Sequence, residues 1–290
     1  MLVPLGVLLV AVAAVAHAGW NVCAKRVPDG GAGFVWLYKI VGSLLVLPIG
    51  LVFLFQEGAV DLPGVLLAVS VGALFQLAYY VLLQLGYAKS DLSVIYPLSS
   101  GMAPLFSVTA AVVLLGERPG PLGLVGVLVV VIGVVIISAY RSTGDSTRTA
   151  KIYGVVFGAL IGLANAAATL WDKQAVSNLD LSPFLFYWGI SVFEVLLLAP
   201  VALRDRPRLR RLWTGHRREV LLVGVLAPTA YVIVLFALRI APVSVIAPAK
   251  ELSVVMALVG AWLFLKEKEL ARRFVGALVV TGGVLVLTYA

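Results

Sequence analysis

Lys250 and Glu251 stand side by side inside an apolar run, just beyond Pro248, and Lys39 and Glu194 interrupt two other runs of the same kind. An ionisable side chain near the middle of such a run costs at least about 2.5–3.5 kcal/mol to bury in hydrocarbon, so it is kept for a partner, a cavity or a pathway. Adjacent residues on a helix point about 100° apart, so Lys250 and Glu251 do not simply neutralise each other. Tyr187, Ser191 and Glu194 share one helical stripe, and Trp36, Lys39 and Ser43 share another. When the two stretches are aligned without a gap to end at Pro48 and Pro200, Lys39 falls opposite Ser191, so lysine and glutamate lie at similar but mirrored depths. Two chemistries are open to such charges. They hold the opposite ends of a zwitterion, or they form ion pairs between helices, Lys39 with Glu194, Glu251 with Lys39 or Lys250 with Glu194.

Other polar groups recur at helical spacing. His17, Trp20 and Asn21 lie on one stretch and Asn165, Thr169 and Asp172 on another. His17 titrates near neutral pH and is the natural group to carry a proton, or it donates a single hydrogen bond between helices. Gln76, Tyr80 and Gln84 share a face beside Tyr79, and with Tyr96, Trp20, Trp36, Tyr187 and Tyr231 they offer aromatic walls for a ring or an organic ammonium group. The candidate ligand-binding set is therefore His17, Trp20, Asn21, Trp36, Lys39, Tyr80, Tyr96, Asn165, Tyr187, Glu194, Tyr231, Lys250 and Glu251. Asp172 and Lys173 fall close enough to an expected helix end to reach the interface, and an interfacial role is expected for them. No Cys/His cluster has metal-ligand spacing, the single cysteine Cys23 excludes an internal disulfide, and neither a metal nor a cofactor is expected.

The elements that position these residues belong in a bilayer. Of the 290 residues, 62% are hydrophobic and 12% charged, and the mean hydropathy is +1.07, outside the range of a soluble domain. The net charge of +8 does not indicate a nucleic-acid partner, because Lys and Arg sit in short gaps between apolar stretches and not on a soluble body. The first apolar stretch has no basic lead and exceeds a signal-peptide core, so it is expected to remain as a membrane helix. A helix needs roughly 20 apolar residues to span a bilayer. Polar and Gly/Pro breaks give ten such segments, near 3–24, 33–55, 63–86, 91–115, 121–140, 152–174, 183–203, 219–239, 243–265 and 272–289. Of 22 Lys and Arg, 17 lie in loops after odd-numbered segments and only Arg118, Lys173 and Arg239 after even ones. The positive-inside rule then puts the Arg204–Arg218 loop in the cytoplasm and both termini outside.

The chain also repeats itself. SVIYP, LLGE and LGLVGVLVVVIGVVI are answered by SVIAP, FLKE and RFVGALVVTGGVLVL. AHAGWNVCAK lies over ANAAATLWDK, pairing His17 with Asn165 and Lys25 with Lys173. Tyr79 pairs with Tyr231, Gly126 and Gly133 with Gly276 and Gly283, and Glu117 with Glu267, the two glutamates being expected as caps in turns. Five segments per copy is an odd number, which threads the second copy through the bilayer upside down. Residues 1–145 and 146–290 are thus expected as two inverted repeats, the architecture of secondary transporters.

With HAGWN, YPLSSGMAP and KELSV in place, the whole chain resembles the EamA family of the drug/metabolite transporter superfamily, in a branch commonly showing HAxWN, YPLxRG and REtSV. It departs at Ser100 and Lys250, where arginine is common. The resemblance implies an all-α integral membrane protein of ten transmembrane helices in two inverted five-helix repeats, with a central cavity lined by segments 1–4 and 6–9 and segments 5 and 10 peripheral. It implies a permease, not an enzyme. The expected activity is alternating-access movement of a small polar or zwitterionic metabolite, such as an amino acid or amine, across a bacterial inner (plasma) membrane by a monomer or homodimer. Protons are the further partner if His17, Glu194 or Glu251 couples transport to a gradient. The alternative is a membrane-embedded enzyme using Glu194, Glu251 and His17 on a lipid, for which no HExxH or GxSxG motif is present. A channel would need a ring of like groups, and no Walker motif is present for ATP hydrolysis.

Overall fold

The computed structural model describes residues 2–27, 30–56, 62–89, 92–138, 148–256 and 271–289, and among these every regular element is helical. The first half comprises α1 (Leu2–Lys25), α2 (Gly31–Gln56), α3 (Leu62–Lys89), α4 (Leu92–Leu114) and α5 (Gly120–Ser138). The second comprises α6 (Arg148–Lys173), α7 (Pro183–Ala202), α8 (Arg206–Gly215), α9 (Arg217–Ile240), α10 (Val243–Ala249) and α11 (Ala271–Thr288). In hydrocarbon no water satisfies a free N–H or C=O, so chains this apolar close their backbone bonds within helices. Six of the helices are long and apolar enough to cross a membrane, and three shorter apolar helices accompany them among the described residues. Their outward side chains are apolar too, among them Leu44, Leu66, Val113, Leu128, Leu196 and Leu285, a surface that acyl chains and not water would cover.

Five pairings organise the bundle: α1 against α9, α2 against α7, α6 against both α3 and α4, and α5 against α11. The last is the closest. A Cβ on Gly133 would meet the Val280 nitrogen at 2.6 Å and the Gly276 oxygen at 2.9 Å, and one on Gly283 would meet the Gly126 oxygen at 3.0 Å. Gly126 therefore faces Gly283 while Gly133 faces Gly276, so the two helices run antiparallel with their backbones in contact.

Local breaks set where polar groups fall. Beyond α6 the chain continues through a π-helical turn, Gln174–Asn178, before Asp180 turns it with φ 52°. This extra turn corrects the expected helix end near 174, and Asp172 lies well inside the element. At the start of α10 the Glu117 carboxylate accepts from the backbone nitrogens of Val243 and Ser244, both at 2.8 Å. It thereby satisfies two of the donors a helix N-terminus leaves open. Pro248 removes one helical donor, and the backbone tightens after it: Glu251 N bonds Pro248 O and Ser253 N bonds Lys250 O, each at 3.0 Å. Lys250 and Glu251 occupy that turn, residues 252–256 are helical again, and the rest of the expected 243–265 segment lies outside the described residues, as does Glu267. The Arg-rich stretch read as a loop contains a helix, α8, capped by Asp205, which accepts from Arg208 N at 3.0 Å.

The glycine contact gives a direct check. Gly133→Ala forces two backbones apart and is expected to cost about 1–3 kcal/mol or more, whereas Gly282→Ala, with nothing within 4 Å of the added carbon, is expected to be neutral. Thermal denaturation of the two purified variants measures the difference.

Candidate functional site

Among the described residues, the buried charged side chains of the helix interiors gather with their hydroxyl and amide partners in two clusters that share a border. In the first, Lys39 of α2 forms an ion pair with Glu194 of α7, their side chains 12% and 3% exposed. Ser191 donates to the Lys39 carbonyl oxygen at 3.4 Å, so the residues aligned in the two halves meet in space. Trp36 Nε1 donates to the Val195 oxygen at 3.0 Å, a second link across the same seam. Gly42 leaves room there: a Cβ would lie 3.1 Å from the Tyr187 hydroxyl. Tyr38, Tyr80 and Tyr187 surround the charges, and Tyr79 packs edge-on against Tyr80 with ring centres 5.4 Å apart.

The second cluster lies where α1, α3, α6, α9 and α10 converge. Gln76 Nε2 of α3 donates to the Tyr231 hydroxyl of α9 at 2.9 Å, and that hydroxyl donates to Asp172 Oδ1 of α6 at 2.8 Å. Lys250 Nζ donates to Thr169 Oγ1 at 2.9 Å, and Thr169 in turn donates to the Asn165 carbonyl oxygen at 2.9 Å. The Lys250 ammonium lies within electrostatic reach of Asp172, Glu251 and His17. His17 meets Trp20 edge-on at 5.0 Å between ring centres, and the Asn21 amide donates back to the His17 carbonyl oxygen at 2.8 Å. Tyr187 and Tyr231, 5.6 Å between ring centres, join the two clusters.

Twelve of the thirteen candidate side chains are described here; Tyr96 lies in α4, and its side chain falls outside the described residues. The structure separates their uses. Trp36 and Asn21 spend their donors on backbone oxygens, and Lys39 and Glu194 spend their charges on each other, the pairing alternative left open by the sequence. Tyr231 instead donates to the Asp172 carboxylate, and Lys250 donates to the Thr169 hydroxyl.

The EamA-like transporter family matches residues 4–139 and 152–289. The chain belongs to that family. As an EamA-like protein of the drug/metabolite transporter superfamily, it is a multi-pass membrane transporter of that type. The family offers no support to the lipid-enzyme alternative. A solved structure described only as "Crystal structure of protein" is 14% identical, with a TM-score of 0.77 over 97% of this chain and 95% of its own, a likeness of fold. Comparison with curated proteins finds no match.

Three residues absent from the candidate set belong to the EamA-like protein's second cluster. Asp172 is the main correction: expected at the interface, it is 5% exposed and hydrogen-bonded by Tyr231. The π-helical turn displaced the helix end beyond it, a break with no signature in composition. Thr169 and Gln76 shared helical faces with candidate residues, and that periodicity was the signal for both. Lys173 serves the scaffold, donating to the Leu238 and Ala241 oxygens at 2.6 and 3.2 Å and so closing the C-terminal end of α9.

Breaking a buried pair strands one charge, at about 3–5 kcal/mol, while replacing both partners with apolar groups costs far less. Lys39→Met and Glu194→Leu are each expected to lower thermal stability sharply, and the double variant to recover most of it. Additive losses in a four-protein denaturation series would contradict the pairing.

Proposed function

We propose that this EamA-like transporter carries a small zwitterionic or polar metabolite, an amino acid or an amine, and that Asp172 and Lys250 recognise its charged ends. The observation that carries the reading is that two opposite charges sit in one buried cluster, each resting on a neutral hydroxyl. Asp172 accepts from Tyr231, and Lys250 donates to Thr169. Hydroxyl partners keep each charge solvated without quenching it, so a ligand ammonium replaces Tyr231 at the carboxylate and a ligand carboxylate replaces Thr169 at the ammonium. Glu251, His17, Trp20, Asn165, Tyr80 and Tyr187 would complete the wall.

Alternating access of two inverted halves, divided at 145/146, is the mechanism we favour. It draws support from the antiparallel contact of α5 with α11 and from pairings that exchange between halves: α1 packs on α9 as α6 packs on α3. A helical bundle of this kind, unlike a β-barrel, suits the plasma membrane of a bacterium.

Hydrogen bonds to charged groups contribute about 1.5–3 kcal/mol, roughly 10- to 100-fold in affinity. A thermal-shift screen against amino acids, amines and sugars identifies the ligand through the stability it confers. Asp172→Asn and Lys250→Gln are then each expected to reduce flux into proteoliposomes by at least roughly tenfold while the protein stays folded. Wild-type flux in both variants would overturn the site assignment.

A further inference from the structure

We infer that α8 and the arginines around it form a binding site for the headgroup of an anionic phospholipid. Between Arg204 and Glu219 the chain carries seven arginines against Asp205 and Glu219, and all seven arginines are exposed. The two acids are engaged elsewhere. Asp205 caps α8, and Glu219 faces His216 at 4.0 Å.

The orientation of α8 is fixed by its other face. Leu209 and Leu212 are buried, a Cβ on Gly33 of α2 would lie 3.1 and 3.3 Å from them, and Leu212 joins Val27, Phe34, Val220 and Val223 in a small core. With those leucines turned inward, Arg206, Arg210 and Thr214 recur one turn apart on the outer side, with Pro207 and Arg211 beside them. The five line a shallow, largely open groove on the outer side of α8. Three guanidiniums in one concavity present planar, paired donors, the arrangement that suits phosphate oxygens better than a single point charge does.

Apolar surface beside the groove selects a lipid over a free anion. The last turns of α7 expose Leu197 and Val201, the short turn leading into α8 exposes Leu203, and the first turns of α9 expose Leu221, Leu222 and Val225. Trp213 is 36% exposed, and the Arg217 guanidinium lies over its ring at 5.5 Å, an amphipathic anchor of the kind found at headgroup level. A soluble phosphate would use the arginines alone, whereas a phospholipid uses the arginines and the apolar turns together. Each basic residue near an anionic leaflet strengthens binding several-fold, and the effect multiplies over the three that line the groove.

The test uses the full chain in neutral detergent, titrated with phosphatidylglycerol, phosphatidylcholine or inorganic phosphate, with bound lipid counted by native mass spectrometry and stability followed by thermal denaturation. Phosphatidylglycerol is expected to bind and raise the melting temperature, with phosphatidylcholine and inorganic phosphate each at least roughly tenfold weaker. The Arg206→Gln, Arg210→Gln, Arg211→Gln triple variant, altered only at exposed positions, is expected to lose most of that preference. The single Arg210→Gln variant, expected to lose part of it, supplies the comparison should the triple variant fold poorly. Equal binding of the two lipids, an equal effect of inorganic phosphate, or an undiminished preference in the variants would overturn the inference.

Discussion

The ion pair between Lys39 and Glu194 is the interaction on which the interior of this bundle depends. Neither charge would survive alone among residues this apolar, and each comes from the corresponding helix of a different half. Their attraction therefore fixes how deeply α2 and α7 sit against one another, and the Ser191 and Trp36 bonds lock that register. Gly42 makes the approach possible by leaving space for the Tyr187 hydroxyl. From that seam the tyrosines lead directly to the second cluster, so the two polar regions are held in one geometry.

The scaffold repeats, and so do charges near the ends of its apolar segments, Lys25 with Lys173 and Glu117 with Glu267, but the charges of the two buried clusters do not. In the gapless alignment of the first helices of each half, Asp172 falls on Ala24 and Thr169 on Asn21, and after the shared proline Lys250 falls on Ser99. The carboxylates and the ammonium of the second cluster thus come from one half, and the other contributes Gln76, His17 and Trp20. A polar group placed by repetition would appear twice. The asymmetric charges outside the Lys39–Glu194 pair carry the functional proposal, and the glycines of α5 and α11, which do recur, carry the packing.

Much of this was legible in the sequence, because hydrocarbon imposes strict rules. Except for the segment expected at 243–265, which is broken at Lys250 and lies partly outside the described residues, apolar length located the helices to within a few residues, as with α4 at Leu92–Leu114 against an expected 91–115. Glu117 was readable as a cap, although the helix it closes, α10, is far away in sequence. What escaped depended on local backbone geometry. The π-helical turn after Lys173 moved Asp172 from an expected interface into the interior, and the buried faces of Leu209 and Leu212 made a helix of a stretch whose arginines dominate its composition. The choice between pairing and ligand binding for Lys39 and Glu194 was also beyond the sequence, since helical stripes fix depth but not distance.

A binding role for the second cluster, as opposed to a scaffold role, requires that Asp172 and Lys250 read different ends of one ligand. The direct measurement is a cycle of affinities: the bound amino acid, the amine lacking its carboxylate and the acid lacking its amino group, each titrated against wild type, Asp172→Asn and Lys250→Gln. Loss of the ligand amino group is expected to weaken binding to wild type but to add no penalty in Asp172→Asn, and loss of the ligand carboxylate is expected to add none in Lys250→Gln. Penalties that remain undiminished in both variants would contradict that binding role.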